Sequence, residues 1–224
     1  MKELEFYFDF VSNNAYLAWT QLPALCSAQS LSLRPVPVLF TGLLNSHANV
    51  GPAEIPAKRD WMTKNILRKA ALVGVPMSPP IHHPFNPLLA LRACSAPISD
   101  SDRVILINAL FRAVWVDQRH VSDIDELRKI IAQVNLDSTA ILDYAQSIGA
   151  KELLRKNTEA AVSKGVFGIP TMRVDNELFF GYDDFVFIED FLQGRDPVES
   201  SDIARWQQTL ITPSSKRSRV ENKE

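Results

Sequence analysis

The spacing of apolar and polar positions changes period several times along the chain, and each change marks an element. Residues 4–11 (Leu-Glu-Phe-Tyr-Phe-Asp-Phe-Val) are dense in aromatic and β-branched side chains and too apolar for a strand with one wet face, which predicts a strand in the middle of a sheet. Ser12, Asn13 and Asn14 then interrupt it with cap-forming side chains, and residues 15–28 take up helical spacing. Residues 31–38 alternate loosely around Pro35 and Pro37, predicting a second strand that ends near residues 38–40 with one edge exposed.

From residue 42 to about 164 the strand pattern disappears and helical periodicity replaces it, broken by prolines at 76, 79, 80, 84, 87 and 97. Helices are expected over residues 57–73, 87–95 and 102–116, the last apolar enough to lie in the core. Ser122-Asp123-Ile124-Asp125 fits a capping box opening a helix to about residue 133, Asp137 caps another to about 147, and residues 150–164 run until Gly165 stops them. Strands resume at Thr171, Asp183-Asp184 open a helix to about Leu192, Gly194 ends it, and residues 201–210 add one more. Past Thr212 the polar tail lacks apolar anchors and is expected to be disordered.

Composition narrows the function classes. With 224 residues and 46% hydrophobic content the chain can bury its own core. A net charge of −2 gives no field for nucleic acid or an acidic membrane, and no stretch approaches the roughly 18 apolar residues of a membrane span. No signal-like segment precedes the first strand, so a cytoplasmic location is expected. Cys26 and Cys94 belong to no C-x-x-C pair, which removes dithiol chemistry, and Cys26 reads as a buried structural thiol.

The candidate chemistry lies at two seams. A serine between the C-terminal end of a strand and the start of a helix sits among free backbone N–H groups and the positive end of a helix dipole, where anions are stabilised; Ser12 is there as a cap, as a hydrogen-bond donor, or as both. Pro170, leading a strand, is either edge decoration or a fixed kink, with a cis peptide after Ile169 as one form of it. Asp183 reads as a cap of the helix that follows it. His82-His83 lack metal-ligand spacing and, with Asp9, carry no metal or base reading.

Phe6-Tyr7-Phe8-Asp9-Phe10-Val11-Ser12 with Tyr16-Leu17-Ala18, together with Gly165-Val166-Phe167-Gly168-Ile169-Pro170-Thr171 and Gly181-Tyr182-Asp183, resemble the 2-hydroxychromene-2-carboxylate isomerases and the kappa-class glutathione transferases over about residues 4–194. Both belong to the DsbA-like branch of the thioredoxin fold. The resemblance implies an α/β thioredoxin-like domain over residues 1–41 and 165–212, with an all-helical insertion domain over residues 42–164. It implies glutathione as cofactor, Ser12 as the catalytic donor to its thiolate, and Ile169, Pro170, Tyr182, Asp183, Asn49 and Lys58 as glutathione contacts. Asn49, Lys58 and Asn86 would also meet a small aromatic substrate, and a homodimer is expected. Four positions depart from the pattern: Asn13 and Asn14 follow the serine in place of the usual Ser-Pro, Tyr182 is bulkier than usual, and Asp184 stands where the family carries Arg. An anion at 184 facing the cleft would weaken binding of an anionic ligand; capping the helix instead, it would leave binding alone. The function implied is glutathione-dependent isomerisation, with a kappa-like transferase and a non-catalytic binding module as alternatives.

Overall fold

In the computed structural model, which describes residues 1–209, four strands form one mixed sheet in the order β2-β1-β3-β4. They are β1 (Lys2–Phe8), β2 (Leu31–Pro37), β3 (Thr171–Val174) and β4 (Glu177–Phe180). β1 runs parallel to β2 with Phe8 opposite Pro37, and antiparallel to β3 with Tyr7 opposite Thr171; β4 returns with Phe180 opposite Thr171. The ends of β1, β2 and β4 and the start of β3 therefore share one end of the sheet. β1 is central, as its continuous apolar run requires, and β2 is the expected edge. The strand stops at Phe8, short of the predicted Val11, because Ser12 N–H donates to Asp9 O (3.2 Å) and turns the chain.

Successive β1 side chains alternate between two packed layers. Phe6 and Phe8 meet Trp19 of α1 (Asn13–Ala28), and Phe8 also meets Phe111 of α5 (Asp100–Trp115), with ring centroids 5.6 Å apart. Tyr7 faces the other way into a cluster with Val36, Val38 and Ala161, the last on α8 (Ile148–Ser163). The chain between β2 and β3 is helical, as predicted: α2 (Phe40–Ser46), α3 (Pro56–Leu72), α4 (Leu88–Ala93), α5, α6 (Ile124–Gln133), α7 (Ser138–Gln146) and α8. Side-chain oxygens of Ser99, Asp123, Asp137 and Ser147 accept first-turn N–H groups and start α5 to α8. The expected capping box at Ser122 is corrected: Asp123 caps α6, and the Ser122 hydroxyl donates to Asn86 O (2.8 Å). α8 packs on α4 and α7 as well as on β2, joining the helical insertion to the sheet.

After β4, a 3-10 turn over Tyr182–Asp184 leads into α9 (Phe185–Leu192), and α10 (Ser200–Thr209) follows with no buried residue. The tail expected to be disordered past Thr212 lies outside the described residues.

One carboxylate binds the Tyr7 face together electrostatically. Glu5, 5% exposed, accepts from Arg34 (2.6 Å) and Lys164 (2.8 Å) on one oxygen and from the Tyr7 hydroxyl (2.6 Å) and Arg173 (3.0 Å) on the other. Burial alone would raise its carboxyl; hydrogen bonds from Lys164, Tyr7 and Arg173 override that and hold it at about 2. A depressed value contributes stability above the unfolded pKa that is lost as pH falls toward the folded one, here a contribution of about 3 kcal/mol. Glu5→Gln is therefore expected to be less stable than wild type at neutral pH in denaturant unfolding. The gap should close between pH 4.5 and about 2; a gap constant across that range would contradict the assignment.

Candidate active site

The turn from Asp9 to Ser12 is held on every side. Asp9, 1% exposed, accepts from Val11 N–H (3.2 Å) on Oδ1 and from Phe40 N–H (3.0 Å), at the start of α2, on Oδ2. The Trp115 indole at the end of α5 donates to Phe10 O (3.0 Å), and His83 Nε2 lies 2.9 Å from Val11 O. Ser12 completes the turn as N-cap of α1, its Oγ accepting from Ala15 N–H (3.1 Å). A hydroxyl that accepts as a cap keeps its own proton for donation, so the two readings of Ser12 are compatible.

On the neighbouring strand the Ile169–Pro170 peptide is cis, one of the forms expected of it. Pro170 O accepts from Gly181 N–H (2.9 Å), which fastens the start of β3 to the turn after β4. Among the described residues neither the N–H nor the C=O of Ile169 finds a hydrogen-bond partner. A Cβ at Gly168 would come within 2.8 Å of the Phe180 ring, so a larger residue there would displace that half-exposed side chain. Tyr182 packs on the cluster of Leu17 from α1 and Ile66 and Ala70 from α3.

Asp183 does not cap α9, which has no side-chain cap; its Oδ2 lies 2.7 Å from Lys69 Nζ on α3. Asp184 does not cap it either. Its Oδ2 accepts Phe180 N–H (2.8 Å), so this carboxylate is spent on closing the turn.

Ser12, Ile169, Pro170, Tyr182 and Asp183 thus gather at one end of the sheet. The remaining sequence candidates lie in the helical segment between β2 and β3. Asn49 is exposed and accepts from Val50 N–H (2.9 Å), just after α2; Asn86 is exposed and accepts from Leu88 N–H (3.0 Å) at the start of α4. Lys58 is exposed in the first turn of α3, and among the described residues its ammonium makes no hydrogen bond or ion pair. Four residues were not singled out for this end of the sheet: Phe40, Lys69, Trp115 and, as an anchor of the turn, Asp9. Lys69 carried a usable signal, because it lies 11 residues, about three turns, from Lys58 on the same stripe of α3.

Burial pushes the Asp9 carboxyl from 3.8 up to about 7, with the N–H groups of Phe40, Val11 and Phe10 opposing the rise. A raised value means that the folded chain holds the proton more tightly than the unfolded one, so this contribution favours folding at acid pH and is lost as pH rises from about 4 toward 7. Wild type should therefore lose stability across that interval relative to Asp9→Asn, which cannot ionise. Parallel stability curves for the two proteins would contradict this.

Comparison with known proteins fits the geometry. Residues 3–193 match the DSBA-like thioredoxin domain family. The chain is 30% identical over 198 residues to the 2-hydroxychromene-2-carboxylate isomerase of Sphingobium xenophagum, covering 85% of this chain and 98% of that protein. It is 23% identical over 206 residues to glutathione S-transferase kappa 2 of Caenorhabditis elegans, covering 85% of this chain and 92% of the other. A solved structure of a 2-hydroxychromene-2-carboxylate isomerase superposes with a TM-score of 0.78 at 24% identity, over 94% of this chain and all of that one. The Ser12 turn and the cis-proline loop thus sit on a DsbA-like thioredoxin fold, and the chain belongs to the 2-hydroxychromene-2-carboxylate isomerase family of enzymes within it.

Proposed function

We propose that this protein is a glutathione-dependent isomerase acting on a conjugated aromatic 2-oxo acid or its cyclic hemiketal. The observation that carries the reading is the junction of two adjacent strands, where the Ser12 turn ends β1 and the Ile169–Pro170 loop begins β3. The residues there fit glutathione. Ile169 offers an N–H and a C=O that are unpartnered among the described residues to an extended peptide, as an added strand uses them. Ser12 offers a hydroxyl proton at a helix N-terminus, where negative charge is favoured.

Bound glutathione supplies a nucleophilic thiolate that adds reversibly to the conjugated carbonyl and is released unconsumed. Ser12 stabilises that charge by a hydrogen bond, and the Asp9 turn fixes where its oxygen lies. The chain's own thiols are poor nucleophiles, because burial pushes Cys26 up to about 11 and Cys94 higher still, so both stay protonated near neutrality. His83 stands against Val11, and Phe85 and Trp115 lie beside it with ring centroids 6.3 Å (His83–Phe85) and 5.9 Å (His83–Trp115) away, a set of flat rings suited to a planar aromatic substrate. Asn86, in the same loop, faces that substrate in this reading. The protein works as a homodimer, a role consistent with Val186 and Phe187 lying 54% and 58% exposed on α9.

The test incubates the protein with glutathione and a panel of conjugated aromatic 2-oxo acids, following isomer ratio and free thiol together. Isomerisation at constant thiol is the expected result. Thiol consumed in step with an electrophile would move the assignment to the transferase reading that the kappa relative favours, and neither change would leave a binding module. Ser12→Ala is expected to lose about 10- to 100-fold in turnover, the loss of one charge-assisted hydrogen bond, while remaining folded with a cap loss of about 0.5–2 kcal/mol. Unchanged turnover in that variant would remove Ser12 from the mechanism.

A further inference from the structure

The ion pair between Asp183 and Lys69 carries a role for a residue that the family pattern does not supply. Lys69 belongs to α3, in the helical insertion, yet its ammonium lies against the turn that follows β4, 2.7 Å from Asp183. Its side chain is only 16% exposed while that of Asp183 is 68% exposed. Packing covers the Lys69 stem, and its head meets a carboxylate that is itself largely in water. An ammonium has three donors, and among the described residues Asp183 is the one side-chain partner that Lys69 Nζ meets. The two groups together present opposite charges side by side. That is the complement of the α-ammonium and α-carboxylate of a free amino-acid head.

Position along α1 agrees. Tyr182, beside Asp183, packs against the Leu17 cluster, and Leu17 lies five residues beyond Ser12, on the order of 8 Å along the helix axis. An extended γ-glutamyl-cysteinyl unit spans on the order of 8 Å from sulfur to the glutamyl α-carbon by ordinary bond lengths. The reach of that unit thus matches the rise of α1 from Ser12 to the Leu17 cluster on which Tyr182 packs. Asp184, where the family's arginine would stand, is turned to Phe180 N–H and offers no cation.

We infer that Lys69 is a specificity-determining residue that binds the α-carboxylate of the γ-glutamyl head, beside the Asp183 that the family resemblance already assigns to that head, so that α3 supplies a cation there. The inference rests on glutathione being the ligand of the Ser12 site. Its test is calorimetric binding to wild type, Lys69→Met and Lys69→Arg with three thiol peptides: glutathione, its glutaryl analogue lacking the α-ammonium, and its 4-aminobutanoyl analogue lacking the α-carboxylate. Lys69→Met should weaken glutathione and the glutaryl analogue by about 10- to 100-fold and leave the 4-aminobutanoyl analogue unchanged. Lys69→Arg, which keeps the charge, should retain most of the affinity and shows that the position tolerates replacement. Equal losses for all three peptides, or none, would reduce Lys69 to a structural bridge and overturn the inference while glutathione binding stands. Failure of wild type to bind glutathione at all would remove both the subsite and the reading beneath it.

Discussion

The carboxylate of Asp9 is the contact on which the arrangement depends. Its two oxygens take backbone N–H groups from Val11, within the turn that carries Ser12, and from Phe40, where the helical insertion begins. One buried side chain thereby fixes both the start of α1 and the exit from β2, and an unpaired N–H at either place would be costly so far from water. Trp115 and His83 complete the enclosure from the far side, taking the carbonyls of Phe10 and Val11. The insertion is consequently part of the scaffold of the Ser12 turn, because it holds that turn in one conformation.

Electrostatic needs are divided between the middle of β1 and the turn that follows it. Glu5, among Arg34, Lys164 and Arg173, lies where charge serves cohesion of the sheet face. At the Ser12 end the resources are hydrogen-bonding backbone and a helix terminus, which favour a bound anion without placing a permanent cation against it. This suits a thiolate that must leave as well as arrive. The Asp183–Lys69 pair, farther along α1, supplies fixed charges where a ligand's unreactive end would lie.

Most of the architecture was legible because its signals are local. The aromatic run of β1, the caps at Asp137 and Ser12, and the left-handed stop at Gly165 each determine their own neighbourhood, and the structure keeps them within a few residues of expectation. Where the fold departs from expectation, a competing contact decided the outcome. The Asp9 turn cut β1 short of Val11, Asn86 took the Ser122 hydroxyl, and Phe180 N–H took Asp184. Beyond the register of Lys69 with Lys58 on α3, neither Lys69 nor Trp115 carries a local cue, because their partners are 114 and 105 residues away in sequence. No spacing rule reaches so far; only the fold brings them together.

The central claim is that the Ser12 end of the sheet ionises a bound thiol, and the ultraviolet absorbance of thiolate in the glutathione complex measures this directly as a function of pH. A free thiol titrates near about 8.5. The account predicts that the bound thiol titrates about one to two pH units lower, and that Ser12→Ala returns most of the difference. A bound thiol that titrates as it does in free solution, or one whose lowered value survives loss of the Ser12 hydroxyl, would contradict it.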